Sequence, residues 1–112
     1  MKVILILFGL FILYSCQGKN ELHGTMSTFK VWGNCVMCEK TIEESLALEG
    51  VYKADWDKVT KMMLVNYDSL IFTNLEIQEI IAKTGYDTEW ITGDNEAYAA
   101  CPDCCLYERK QF

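Results

Sequence analysis

"VWGNCVMCEKTIEES", residues 31–45, is the stretch from which the rest of the chain can be read. Cys35 and Cys38 stand three apart, after a glycine and ahead of a segment with helical spacing. From Glu39 to Leu48, Ile42 and Leu46 fall four apart while Lys40, Glu43 and Glu44 take other faces, as in an amphipathic helix. Glu39 lies in its first turn, where a negative charge suits the helix dipole, and Gly50 is placed to end it. On the N-terminal side, "TFKVW" alternates Phe29 and Val31 with Lys30 and Trp32, the period of a half-buried strand. The two cysteines therefore sit on a loop that leads from a strand into a helix.

Further along, Ala54 and Trp56 mark a second strand over Val51–Asp57. Met63, Val65 and Tyr67 share one side of a third over Lys61–Asp68, with "DKVT" as the hairpin turn between them. Leu75–Thr84 carries Ile77, Ile80, Ile81 and Thr84 along one helical stripe, with Thr73 or Asn74 as cap and Gly85 as stop. Tyr86–Ile91 is expected as a final strand. The order β-α-β-β-α-β implies an α+β, ferredoxin-like domain: a four-stranded antiparallel sheet with both helices on one face.

The first fifteen residues stand apart from that domain. Lys2, the apolar run Val3–Leu13 and the small Ser15 have the layout of a secretory leader, and the run is shorter than the ~20 apolar residues of a spanning helix. Leu13-Tyr14-Ser15-Cys16 resembles the lipobox of bacterial lipoproteins, which implies a signal peptide over 1–15 and lipidation at Cys16. The protein is then expected in the cell envelope, facing the periplasm and held to a membrane by acyl chains. Residues 16–26, polar and glycine-bearing, read as a flexible tether, and His23 within it as solvated surface. Loss of the leader removes Lys2 and moves the formal net charge from -6 to -7, nine Lys and Arg against sixteen Asp and Glu. That acidity argues against nucleic-acid binding and is compatible with cations or a basic docking partner.

Two cysteines three apart admit several chemistries. A c-type haem needs a histidine directly after the second cysteine, and Glu39 is there instead. A nucleophilic cysteine needs a base, and His23 is the only histidine, so no enzyme is indicated. A thiol-disulfide redox module is open to a C-x-x-C at a helix start. The single proline, Pro102, lies beyond the domain, whereas thioredoxin-like folds place a cis-proline opposite the cysteines. A structural zinc site needs four ligands, for which Cys101 and Cys104 would have to join Cys35 and Cys38. Two soft sulfurs on a loop suit Cu(I), and similarly Hg(II), better than a hard cation, with Zn(II) as the remaining option.

"FKVWGNCVMCEKTIEESLALEGVYKADWD", "MMLVNYD" and "IQEIIAKTGYDTEW" together resemble the heavy-metal-associated domain family. It contains copper chaperones, periplasmic mercury-binding proteins and the N-terminal modules of copper-transporting P-type ATPases. The resemblance covers residues 27–91. It implies that Cys35 and Cys38 carry the metal, that Tyr86 stands close behind them, and that the ion passes to a metal-transport or efflux protein by thiolate exchange. Met37, between the ligands, is expected to be packed or exposed and not coordinating. The family usually reads Gly-Met-x-Cys, with the methionine packed under the loop; here Gly33 and Asn34 precede Cys35 directly. Support for the shorter loop is expected from Trp32.

Residues 92–112 form a cysteine-rich tail that the common form of the family lacks. With Cys16 lipidated, five thiols remain, an odd number that cannot all pair within one chain. Cys101, Cys104 and Cys105 form either a disulfide-stapled tail or an accessory soft-metal site, independent of the main pair or joined to it. Tyr98, Leu106 and Tyr107 are available to dock the tail on the sheet or on a partner.

Overall fold

The computed structural model describes residues 24–102 and 105–111. The expected leader, the lipidation site Cys16, His23 and Cys104 lie outside the described residues. The elements run β1 (Thr25–Lys30), α1 (Val36–Ser45), β2 (Val51–Trp56), β3 (Met62–Tyr67), α2 (Asn74–Lys83) and α3 (Asn95–Ala99). Strand β1 begins within the expected tether, because Thr25 and Met26 pair with Tyr67 and Asn66.

The sheet is antiparallel in the order β1-β3-β2. Its alternation follows the sequence: Phe29, Trp56, Met63, Val65 and Tyr67 are buried, and they form one cluster with Ile42 and Leu46 beside α1 and Ile77 and Ile81 of α2. Both helices therefore cover the same face, as a ferredoxin-like layout requires. Burial of this kind contributes about 1.5–3 kcal/mol for each large apolar side chain. The hairpin turns at Asp57, whose carboxylate accepts from the N–H groups of Val59 and Thr60. Those two bonds, Thr60 first, hold its pKa below the ordinary aspartate value.

Helix α1 starts three residues before the apolar periodicity does, since the cap is Cys35 itself. It ends at Ser45, ahead of Gly50, which instead takes φ 97 at the entry to β2. Helix α2 has a full capping box: Thr73 Oγ1 accepts from Glu76 N–H while the Glu76 carboxylate accepts from Thr73 N–H.

The expected fourth strand of the sheet contracts to one bridge, Val31 to Thr88. Buried Gln78 of α2 explains why. Its Oε1 accepts from Thr88 Oγ1 at 2.8 Å and from Trp90 N–H at 2.9 Å, while Thr88 N–H donates to Ile91 C=O at 2.8 Å. The chain is drawn into a tight turn over 88–91 before a ladder can extend. The segment nonetheless sits beside β1, where a fourth strand would run, with Trp32 N–H donating to Asp87 C=O.

Residues 92–102 and 105–111 are folded against the domain and not appended to it. Helix α3 is capped by Asp94, whose carboxylate accepts from Ala97 N–H, and Asp94 N–H reaches back to Ala82 C=O at the end of α2. Gly85 makes this contact possible in two ways. Its φ of +103 is open to glycine, and a Cβ there would lie 2.7 Å from Tyr98 N. Among the described residues, no helix is long and apolar enough to cross a membrane.

Candidate metal centre

The cysteine loop is positioned from below by an indole. Trp56 is 1% exposed and its Nε1–H donates to Val31 C=O at 3.0 Å. A Cβ on Gly33 would come within 2.9 Å of the Trp56 ring and 3.3 Å of Cys38 Cβ, so glycine lets the loop close onto that ring. The floor expected from Trp32 is thus supplied by Trp56. Trp32 is partly buried against the core, and its ring lies under two ammonium groups, Lys30 at 4.6 Å and Lys110 at 5.6 Å.

From this floor the chain enters α1. Cys35 caps the helix in extended conformation, and Glu39 N–H donates to its C=O at 3.0 Å. Cys38 follows in the first turn and is fully buried, while Cys35 is half-buried. Their Sγ atoms are 3.8 Å apart. Asn34 brackets Cys38 from both sides: its backbone N–H approaches the sulfur at 3.5 Å, and its Oδ1 accepts from the thiol at 3.1 Å. Met37, between the two cysteines, is half exposed.

A third sulfur arrives from the far end of the chain. Cys105 is 2% exposed and its Sγ stands 3.9 Å from that of Cys35. The thiols of Cys35, Cys38 and Cys105 all lie within 4.8 Å of one another, an arrangement that could hold a metal ion. Cys101 is partly buried nearby with its thiol directed to Ala97 C=O at 3.4 Å. Cys35, Cys38, Cys101 and Cys105 form no disulfide with one another, and Cys104, on which the four-cysteine zinc site also depends, lies outside the described residues.

The segment carrying Cys105 is held by groups on either side of Tyr86. Tyr107 is buried, stacks on Tyr86 with centroids 5.4 Å apart, and meets Tyr98 edge-on at 5.0 Å. Its hydroxyl donates to Gly85 C=O and accepts from Asp87 N–H. Asp87, 1% exposed, then takes Arg109 through both carboxylate oxygens, at 2.6 and 3.1 Å, and accepts from Gly93 and Lys110 N–H. Arg109 also lies over the Tyr98 ring at 4.5 Å. The expected docking by Tyr98 and Tyr107 is present; Leu106 is exposed. Asp87, Arg109, Asn34 and Trp56 were not legible as site residues, and no local spacing marks them.

Electrostatics follow from these contacts. Burial alone pushes the Cys35 thiol upward, but the N–H groups of Cys38 and Met37, with the neighbouring Cys38 and Cys105 thiols, outweigh it and its pKa falls. Tyr86 moves the other way: burial first, then its hydrogen bond to Cys38 and the surrounding sulfurs, keep the phenol protonated. The Tyr86 ring is thus held neutral close to the cysteine loop. Burial would raise Asp87, yet Arg109 and the backbone donors prevail and lower it, while the same bond raises Arg109. A groove beside Gly33 and Asn34 is lined by Lys30, Lys61 and Arg109 with Glu108 as its one carboxylate, a positive rim on an acidic protein.

Compared with known families, residues 28–87 match the heavy-metal-associated domain. The chain belongs to that family. Solved structures similar to this heavy-metal-associated domain include the CopZ metallochaperone, 26% identical over 57% of this chain and 98% of that one, with a TM-score of 0.54. The N-terminal domain of a potential copper-translocating P-type ATPase from Bacillus subtilis, in its Cu(I)-loaded state, is 26% identical over 61% and 86%, with a TM-score of 0.54. The ZiaAN sub mutant is 33% identical over 58% and 94%, with a TM-score of 0.51. No curated protein matches the chain significantly. The family match ends at Asp87, so the segment that brings Cys105 to the site is an addition to the heavy-metal-associated domain.

Proposed function

We propose that the protein captures a soft metal ion, Cu(I) before Hg(II) or Zn(II), and hands it to a metal-transport or efflux protein. The observation that carries this reading is the pair of thiols 3.8 Å apart on the loop that opens α1. Two thiolates and no imidazole or carboxylate in the group favour a soft ion. The similarity to a copper-translocating ATPase domain in its Cu(I)-loaded state supports copper as the first choice.

Transfer follows from unequal burial. Cys35 is the accessible sulfur and Cys38 the enclosed one. A partner's thiolate bonds to the ion at the Cys35 side as the Cys35–metal bond breaks, then displaces Cys38. The ion keeps its oxidation state throughout, and the protein acts as a carrier and not as an enzyme. Lys30 and Lys61 on the rim, with Arg109 already paired to Asp87, suit an acidic partner group at the loop, opposite in sign to what overall charge implies. The leader and "LYSC" support secretion and a lipid anchor at Cys16, facing the periplasm.

The test is a titration of the full-length, reduced protein with Cu(I) against a competing chelator. Submicromolar binding that is lost in Cys35→Ser/Cys38→Ser is expected. Binding weaker than micromolar, or untouched by the double substitution, would retire the reading.

A further inference from the structure

We infer that Cys105 is a third ligand, so that the C-terminal segment converts the two-sulfur loop into a three-thiolate site for a single soft ion. This rests on the proposed role of Cys35 and Cys38.

The spacing argues for it. With metal–thiolate bonds of about 2.3 Å, two sulfurs on opposite sides of an ion stand about 4.6 Å apart, and three sulfurs in a plane around it about 4.0 Å apart. The separations are 3.8 Å for Cys35 to Cys38 and 3.9 Å for Cys35 to Cys105, with all three inside 4.8 Å. The two Cys35 edges lie close to the trigonal spacing and below the linear one. An ion placed among these sulfurs needs little movement of any of them.

The surroundings argue for it as well. Cys105 is 2% exposed and sits between two anchors in its own segment. Its N–H donates to Pro102 C=O at 2.7 Å, and two residues later Tyr107 N–H donates to Cys105 C=O at 2.9 Å. Tyr107 is locked in turn by Gly85 and Asp87, and Arg109 by Asp87. The carboxylate–guanidinium clasp thus holds the third sulfur at a set position relative to the loop. Asp87 and Arg109 are positioning residues: they act on the ion through Cys105.

The chemical consequence is a shift from delivery toward retention. Losing an ion from three thiolates requires three bonds to be exchanged, and the burial of Cys105 and Cys38 leaves Cys35 as the accessible point of attack. Ions that accept three thiolates, Cu(I) foremost, are favoured over ions that want two.

The test uses the full-length, reduced chain carrying Cys16→Ser, Cys101→Ser and Cys104→Ser, so that only Cys35, Cys38 and Cys105 remain, loaded with one equivalent of Cu(I). X-ray absorption is expected to show three sulfurs, falling to two with a shorter copper–sulfur distance when Cys105→Ser is added. Competition with a chelator should show at least a tenfold loss of affinity for that variant. Asp87→Asn should lower the sulfur number in the same direction, and Asp87→Glu should restore part of it. Two sulfurs with and without Cys105, at unchanged affinity, overturn the inference while leaving the Cys35–Cys38 pair standing. Loss of binding on Cys35→Ser/Cys38→Ser reports separately on that pair: if copper stays bound there, the functional reading itself fails.

Discussion

The loop that carries Cys35 and Cys38 and the segment that carries Cys105 meet at the same few ångströms, yet different forces hold them there. Beneath the loop lies apolar burial: Trp56, Ile42, Leu46 and Val31 are each no more than 1% exposed. Around the segment the contacts are polar, with Asp87 gathering Arg109, Gly93 and Lys110, and tyrosine hydroxyls closing onto backbone carbonyls. Apolar burial has no proton to gain or lose, whereas a carboxylate clasp depends on one. The contrast places a durable pair of thiols next to one whose attachment can be tuned.

The sharpest way to break the comparison is to remove the loop's floor. Trp56→Ala takes away a fully buried ring and the hydrogen bond to Val31, and is expected to cost about 3–5 kcal/mol. Urea unfolding should show it as a large drop in midpoint affecting the whole domain. A local effect confined to residues 95–111 would mean that the loop and the segment are not held separately.

Asp87→Asn attacks the other side. It keeps one acceptor oxygen, enough for Gly93 N–H or Lys110 N–H but not for both, and forfeits the bidentate partner of Arg109, for a cost of about 2 kcal/mol. Hydrogen exchange is expected to speed up over 95–111 while the amides of β1 and β3 stay protected. Uniform acceleration across both regions would erase the distinction drawn here.

Acid gives the smallest and most selective perturbation. Asp87 has a folded pKa below its ordinary value of 3.8. A group depressed in this way contributes stability that is fully present above the unfolded pKa and disappears as pH falls through the lower, folded one. The clasp should therefore hold at pH 5 to 7 and loosen only below about pH 4, with the Tyr98 and Tyr107 resonances shifting before that of Trp56. Simultaneous loss of all three signals would show that the clasp is part of the core.

What could be read before any coordinates existed follows the same division. The strand before the cysteines, both helical stripes, the hairpin and the Gly85 stop were legible because each is written in the spacing of neighbouring residues. Cys35 and Cys38 were legible because their interval is short and their types are chemical. Helix α1 was placed three residues late because its first turn is set by the Cys35 backbone, which carries no apolar mark. The fourth strand shortens to one bridge because Gln78, a residue of another element, takes the Thr88 hydroxyl and the Trp90 N–H within that segment.

The chain's own alternation and spacing settle the α+β layout, the metal loop and the presence of spare sulfur in the tail. Which of the tail cysteines reaches the loop is settled by folding alone. Cys35 and Cys105 are separated by 70 positions and Asp87 and Arg109 by 22, and no periodicity relates them. Short-range order comes from the backbone's geometric repeat, which a sequence displays. Long-range pairing comes from packing two surfaces together, and it exists only once both have formed.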